Sequence, residues 1–142
     1  MNDLSFVMRV VDLLEDARLR VWLFGGWAEE LRGLRAPCEH IDVDFLYPGR
    51  DFARVDAVLE RAAAFEEVEG KRHDHKRAFM LEGTLVELLL VQKDAGGWYT
   101  ELPRGRHDWP PDVFANAGRL PVASAAALEG YRHSRRVDIR AA

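Results

Sequence analysis

The chain has 142 residues, 48% of them apolar and 31% charged, with a net charge of −4 and a pI near 5.7. That length suits one domain, and the balance is that of a globular protein rather than a disordered one. The mild negative charge argues against broad contact with a phosphate backbone, so nucleic acid is not an expected partner.

The start, Met1-Asn2-Asp3-Leu4, lacks the basic residues of a secretory leader. No apolar run reaches the roughly 20 residues of a membrane span. A cytoplasmic location with no membrane partner is the expectation. The single cysteine, Cys38, excludes an internal disulfide and a zinc cage built from cysteines.

In chain order, Leu4, Val7, Met8, Val11 and Leu14 recur at helical spacing and predict an amphipathic helix. Leu19 to Phe24 is a short apolar run stopped by Gly25-Gly26, which predicts a buried strand. Trp27 to Leu34 reads as a short helix with Gly33 at its C-terminal end. From Ile41 to Tyr47 the residues alternate, with Ile41, Val43 and Phe45 on one face and Asp42 and Asp44 on the other; Pro48-Gly49 closes this strand. Asp51, placed as a cap, opens a helix to about Ala63 with Phe52, Val55, Val58 and Leu59 inward. Two strand-like runs, His75 to Glu82 and Thr84 to Gln92, flank Gly83 and predict a hairpin.

Beyond Lys93 the glycines and prolines (Gly96-Gly97, Pro103, Pro110-Pro111) predict a loop-rich third, 93–142. It ends in a short helix from Ser124 to about Arg135. Strands and helices mix without regular alternation, so the expected class is α+β: a small mixed sheet with helices on one side, in a single domain, 1–142.

Asp42 and Asp44 carry the most information. Residues two apart on a strand point the same way, roughly 6.5–7 Å apart. Two carboxylates on one face of Ile-Asp-Val-Asp-Phe repel each other and call for a cation, for which magnesium is the economical choice. A bare Asp-x-Asp is weak, since a solvated strand face also carries it. Gly25-Gly26, 16 residues before Asp42, adds a strand-to-helix turn whose amides can seat phosphate. Glu87, the lone charge in Leu85-Val86-Glu87-Leu88-Leu89-Leu90, supplies a third acid if it faces the same cleft. His40, two residues before Asp42, is expected on that face, where it touches phosphate, braces a metal ligand or makes a purely structural hydrogen bond.

Other features weigh less. His73-Asp74-His75 has zinc-like spacing without a third ligand nearby and reads as an exposed charged segment. Arg50 and Arg54 read as a solvated helix start. Trp98-Tyr99 and Trp109 suit either a sugar-like or cationic acceptor or plain packing over the sheet, and Arg132, Arg135 and Arg136 form a basic cluster on the last helix.

Phe24-Gly25-Gly26-Trp27-Ala28, then Gly33, then His40-Ile41-Asp42-Val43-Asp44 resembles the nucleotidyltransferase superfamily, in particular its small aminoglycoside and lincosamide nucleotidyltransferases. The similarity runs from Leu4 to Val91 and more faintly from Arg119 to Tyr131. It implies the minimal nucleotidyltransferase fold, with two magnesium ions on Asp42, Asp44 and Glu87. Asp42 and Asp44 would be catalytic as metal ligands, and Glu87 as ligand or general base. Gly25, Gly26 and His40 would bind the nucleotide.

The implied reaction moves a nucleoside monophosphate, AMP from ATP, to a hydroxyl of a small molecule such as an aminoglycoside antibiotic, as in antibiotic resistance. The alternative is an antitoxin-type minimal nucleotidyltransferase that binds or nucleotidylates a partner toxin. So short a chain can also need a second copy to wall its acceptor cleft, which makes a homodimer one expectation.

This sequence departs from the family pattern in places. Cys38 stands where relatives carry an arginine, with Arg35 nearby, and the segment from Gly33 to Asp42 is one residue longer. Glu29 or Glu30 replaces an aspartate after Gly-Gly-Trp, and the third acid is Glu87 rather than aspartate.

Overall fold

Asp3 opens the first helix, its carboxylate accepting the Phe6 N–H at 2.8 Å, in a computed structural model that describes residues 2–141 and side chains as far as 134. This helix, α1 (Leu4–Asp16), buries Phe6, Val7, Val10, Val11 and Leu14. The apolar stripe is rotated from the expected one: Leu4 and Met8 face solvent, and Phe6 and Val10 take their places.

Strand β1 (Trp22–Phe24) is shorter than the apolar run predicted. Leu19 and Val21 are buried ahead of it, after a left-handed turn at Arg18. Helix α2 (Gly25–Leu31) follows with no connecting residue, so the glycine pair forms its first turn. It ends as expected at Gly33, whose φ of 74° lets Leu34 N–H reach Glu29 C=O and Gly33 N–H reach Glu30 C=O.

Strand β2 (Asp42–Pro48) starts one residue later than predicted. Ile41, expected on the buried face with Val43 and Phe45, instead belongs to the preceding loop and is 91% exposed. Next come α3 (Ala53–Arg61), with Asp51 accepting the Ala53 N–H, then β3 (Glu66–Glu67) and a single 3₁₀ turn at Glu69–Lys71. The hairpin of β4 (Lys76–Leu81) and β5 (Thr84–Asp94) closes through Glu82 and Gly83, both at positive φ, the signature of a two-residue type I′ turn.

The stretch expected to be loop-rich is mostly sheet. It holds β6 (Gly97–Leu102), β7 (Gly105–Asp108), β8 (Phe114–Ala117) and β9 (Leu120–Ala123). Gly96, Gly118 and Pro103 sit in two-residue hairpin turns, Ala95-Gly96, Gly118-Arg119 and Pro103-Arg104, and Gly97 and Gly105 open the strands that follow two of them. The closing helix α4 (Ala125–Ala141) starts at Ser124, whose Oγ accepts the Ala127 N–H at 3.1 Å, and is longer than predicted.

The main sheet runs β3-β4-β5-β2-β1-β9-β8. Two neighbouring pairs, β2 with β5 and β1 with β9, are parallel and the rest antiparallel, which with four helices gives the mixed α+β architecture. The β6–β7 hairpin continues from the far end of β5. Among the described residues no helix is long and apolar enough to cross a membrane.

One buried polar link fastens that hairpin. Thr100 Oγ1 donates to the Leu90 carbonyl at 2.7 Å and accepts from Trp109 Nε1 at 2.8 Å, and both residues are buried. Thr100→Val keeps the shape and strands both partners. We expect it to cost about 1–3 kcal/mol, read as a lower midpoint in thermal or urea unfolding. An unchanged midpoint would show that the link is dispensable.

Candidate active site

The parallel pairing of β2 with β5 sets Asp42 beside Leu85 and Asp44 beside Glu87. Alternation then brings all three acids to one face. One carboxylate oxygen from each of Asp42, Asp44 and Glu87 lies within 4.8 Å of the others. Three hard oxygen donors so close are a donor set for a divalent cation.

Glu87 is buried, and its two oxygens meet Lys76 Nζ at 2.6 Å and Lys71 Nζ at 3.3 Å. Burial pushes its carboxyl up, but the two lysines outweigh that and hold it below the ordinary carboxylate value. The stability this gives is present above the ordinary value and is lost as pH falls through the lower folded one. A carboxyl so placed stays ionised and accepts a proton poorly, which suits a cation ligand better than a base.

Gly25 has φ of 69°, and a Cβ there would stand 2.5 Å from Asp44 Oδ2. A Cβ on Gly26 would meet Arg35 Nη1 at 2.7 Å and His40 Nδ1 at 2.9 Å. The bare backbone of the turn is what allows an acid and a guanidinium to lie against it.

Gly25, Gly26, Asp44 and Glu87 line a cleft of about 420 Å³, with Leu128, Tyr131 and Arg132 of α4 on its wall. At its rim Glu29 holds two cations: its Oε2 accepts from Arg132 Nη2 at 2.7 Å and faces Arg35 Nε at 3.6 Å.

His40 is placed differently from expectation. Its side chain is 4% exposed, packed against Trp27 in a tilted pair with ring centroids 4.3 Å apart, and its Nε2 lies 3.0 Å from Glu30 Oε1. It touches the back of the glycine turn and does not line the cleft.

Trp109 is core, packed on Phe24 and Tyr131, while Trp98 and Tyr99 border a separate hollow with Arg50 and Lys93. His73 and His75 stack on each other, and no third metal-binding side chain joins them among the described residues. The side chains of Arg135 and Arg136 lie outside the described residues.

Sequence reasoning passed over Lys71, Lys76 and the grip of Glu29 on Arg35 and Arg132. For Lys76 a signal exists: the hairpin register pairs Ala78 with Glu87, so Lys76 lies diagonally across from Glu87 on the same face. The grip of Glu29 on Arg132 spans 103 residues and has no local signature.

Among solved structures, the fold is similar to that of the lincosamide antibiotic adenylyltransferase LnuA bound to lincomycin. The identity is 18%, the TM-score 0.66, and 86% of this chain and 80% of that one are covered. It is similar also to ANT(2'')-Ia in complex with adenylyl-2''-tobramycin, at 16% identity and TM-score 0.63, covering 93% and 76%. No curated protein gives a significant match to the sequence. The sequence profile of the aminoglycoside-2''-adenylyltransferase family matches residues 6–127, most of the chain and all of the acid triad and glycine turn. On that match the chain belongs to this family and is a nucleotidyltransferase.

Proposed function

We propose that the chain transfers AMP from ATP to a hydroxyl of a small antibiotic-like acceptor, an aminoglycoside or a lincosamide, and so confers resistance. The observation that carries this reading is the convergence of Asp42, Asp44 and Glu87 within 4.8 Å beside a cleft wide enough for a nucleotide. One structural neighbour is an antibiotic adenylyltransferase with lincomycin bound and another is in complex with adenylyl-2''-tobramycin, which supports the choice of AMP and of acceptor class.

In this reading Asp42, Asp44 and Glu87 would hold two magnesium ions, which when bound would neutralise the triphosphate and polarise its α-phosphorus. With Glu87 serving as a ligand, Lys71 and Lys76, which now pair with it, would be placed to face phosphate oxygens. The first-turn amides at Gly25 and Gly26 meet the triphosphate, for Phe24 caps that helix with no side-chain hydrogen bond. Arg35 and Arg132 close over the phosphates from the rim. His40 acts on the nucleotide through the turn it packs against. The acceptor oxygen bonds to the α-phosphorus, the bond to the bridging oxygen breaks, and pyrophosphate leaves. The acceptor proton passes to solvent, Glu87 being taken up as a metal ligand. Dependence on ATP fits a cytoplasmic location.

The test is incubation of purified protein with magnesium and α-labelled ATP against a panel of aminoglycosides and lincosamides. We expect label on one acceptor class together with pyrophosphate, and neither without a divalent cation. Label that appears only on a co-expressed partner protein would replace the small-molecule reading with the partner-protein one. No nucleotidyl product from either source would overturn both.

A further inference from the structure

A second group of metal-binding side chains lies behind the glycine turn, outside the acid triad. Glu30, Cys38 and His40 each offer a ligand atom, and the three atoms lie within 4.8 Å of one another. His40 Nε2 is 3.0 Å from Glu30 Oε1 and 4.0 Å from Cys38 Sγ. In a tetrahedral site with metal–sulfur near 2.3 Å and metal–nitrogen or metal–oxygen near 2.0–2.2 Å, such atoms stand roughly 3.3–3.6 Å apart. For the His40–Glu30 and His40–Cys38 pairs, shifts of about half an ångström convert one arrangement into the other, with the ion taking the place of the hydrogen bond between His40 and Glu30.

We propose that Glu30, Cys38 and His40 form a site for a thiophilic divalent cation of the zinc class, with a water as fourth ligand. One sulfur, one imidazole and one carboxylate select zinc-like ions, whereas the all-oxygen triad selects hard ones. The single cysteine excludes a cysteine cage but not a mixed site of this kind.

The ligands are held before any ion arrives. The His40 ring packs against Trp27 at a tilt of 35°, and the Asn2 side chain bridges Trp27 Nε1 to the His40 carbonyl. The Cys38 N–H donates to Glu30 Oε1 at 3.0 Å, which fixes the loop carrying the thiol against α2. Cys38 is exposed, which leaves an entry path and room for the water. A bound ion would staple the loop between α2 and β2 at its far end. That loop carries Arg35, whose guanidinium lies against Gly26.

The test uses the full chain, stripped with chelator and held in excess magnesium to occupy the acid triad, then titrated with cobalt(II) as the zinc probe. We expect one ion per chain, with a thiolate-to-cobalt charge-transfer band and the intense visible bands of a tetrahedral site. Zinc should displace the cobalt stoichiometrically. Cys38→Ser should remove the charge-transfer band and weaken zinc binding about a hundredfold or more, beyond the effect of losing an outer-shell partner. Glu30→Gln should weaken zinc binding while keeping the band, and Asp44→Asn should leave band and affinity unchanged. Four outcomes would overturn the site. These are absence of a thiolate band, one ion per two chains, zinc binding lost in Asp44→Asn but not in Cys38→Ser, and cobalt spectra of six-coordinate type.

Discussion

Asp44→Asn is expected to reduce nucleotidyl transfer by about a thousandfold or more, the loss typical of removing a preorganised electrostatic group from a transition state, with the fold intact. Asp44 sits opposite Glu87 in the β2–β5 register and against the Gly25 turn, so it is the acid shared by the strand pair and the glycine turn. The asparagine keeps the shape and loses the charge.

Stability should move the other way. Asp42, Asp44 and Glu87 crowd three carboxylate oxygens within 4.8 Å, so removing one charge relieves repulsion in metal-free protein. Val43 and Phe45, both fully buried on the opposite face, anchor the strand regardless. The midpoint of thermal unfolding without divalent ions should therefore stay level or rise. In wild type, added magnesium should raise it, and in the variant much less. Activity within tenfold of wild type, or an unfolded variant, would remove the metal-ligand role assigned to Asp44.

Much of the site was legible because it rests on short-range patterns. Alternation in β2 puts Asp42 and Asp44 together, and the two-residue turn at Glu82-Gly83 fixes the hairpin that carries Glu87. The parallel pairing that brings Glu87 to Asp44 is long-range and could be inferred only through the family resemblance. His40 shows where alternation misleads: counting back from Asp42 places it on the acid face, but the strand begins at Asp42. His40 therefore obeys loop geometry and turns to Trp27. Ile41 went astray for the same reason. The strands β6 to β9 were missed because their glycines and a proline read as loop, whereas two residues suffice for each of the three hairpin turns. The clamp of Glu29 on Arg132 joins α2 to α4 through tertiary packing alone.

Gly25→Ala should damage the protein in two separable ways. At φ of 69° an L-residue sits in the left-handed region, which costs about 1–2 kcal/mol for a non-glycine side chain. The new methyl would also stand 2.5 Å from Asp44 Oδ2, closer than atoms tolerate, and 3.1 Å from its Cβ, a tight contact relieved by a shift of a few tenths of an ångström. Asp44 must then leave its place, and transfer should fall by about a hundredfold or more, because a metal-site ligand displaced by an ångström no longer serves. Total destabilisation of about 2–4 kcal/mol combines both costs. The parts can be told apart by pairing Gly25→Ala with Asp44→Ala. Truncating Asp44 removes its carboxylate oxygen but keeps its Cβ and leaves the backbone strain, so the double variant should recover most of the steric share and keep the conformational one. The resulting coupling, measured by urea unfolding, should exceed about 1 kcal/mol in the direction of rescue. Strictly additive effects would show that Asp44 moves aside at no cost. Gly25 would then be needed for its dihedral angle alone, and the close seat of the acid against the turn would have no part in setting the site.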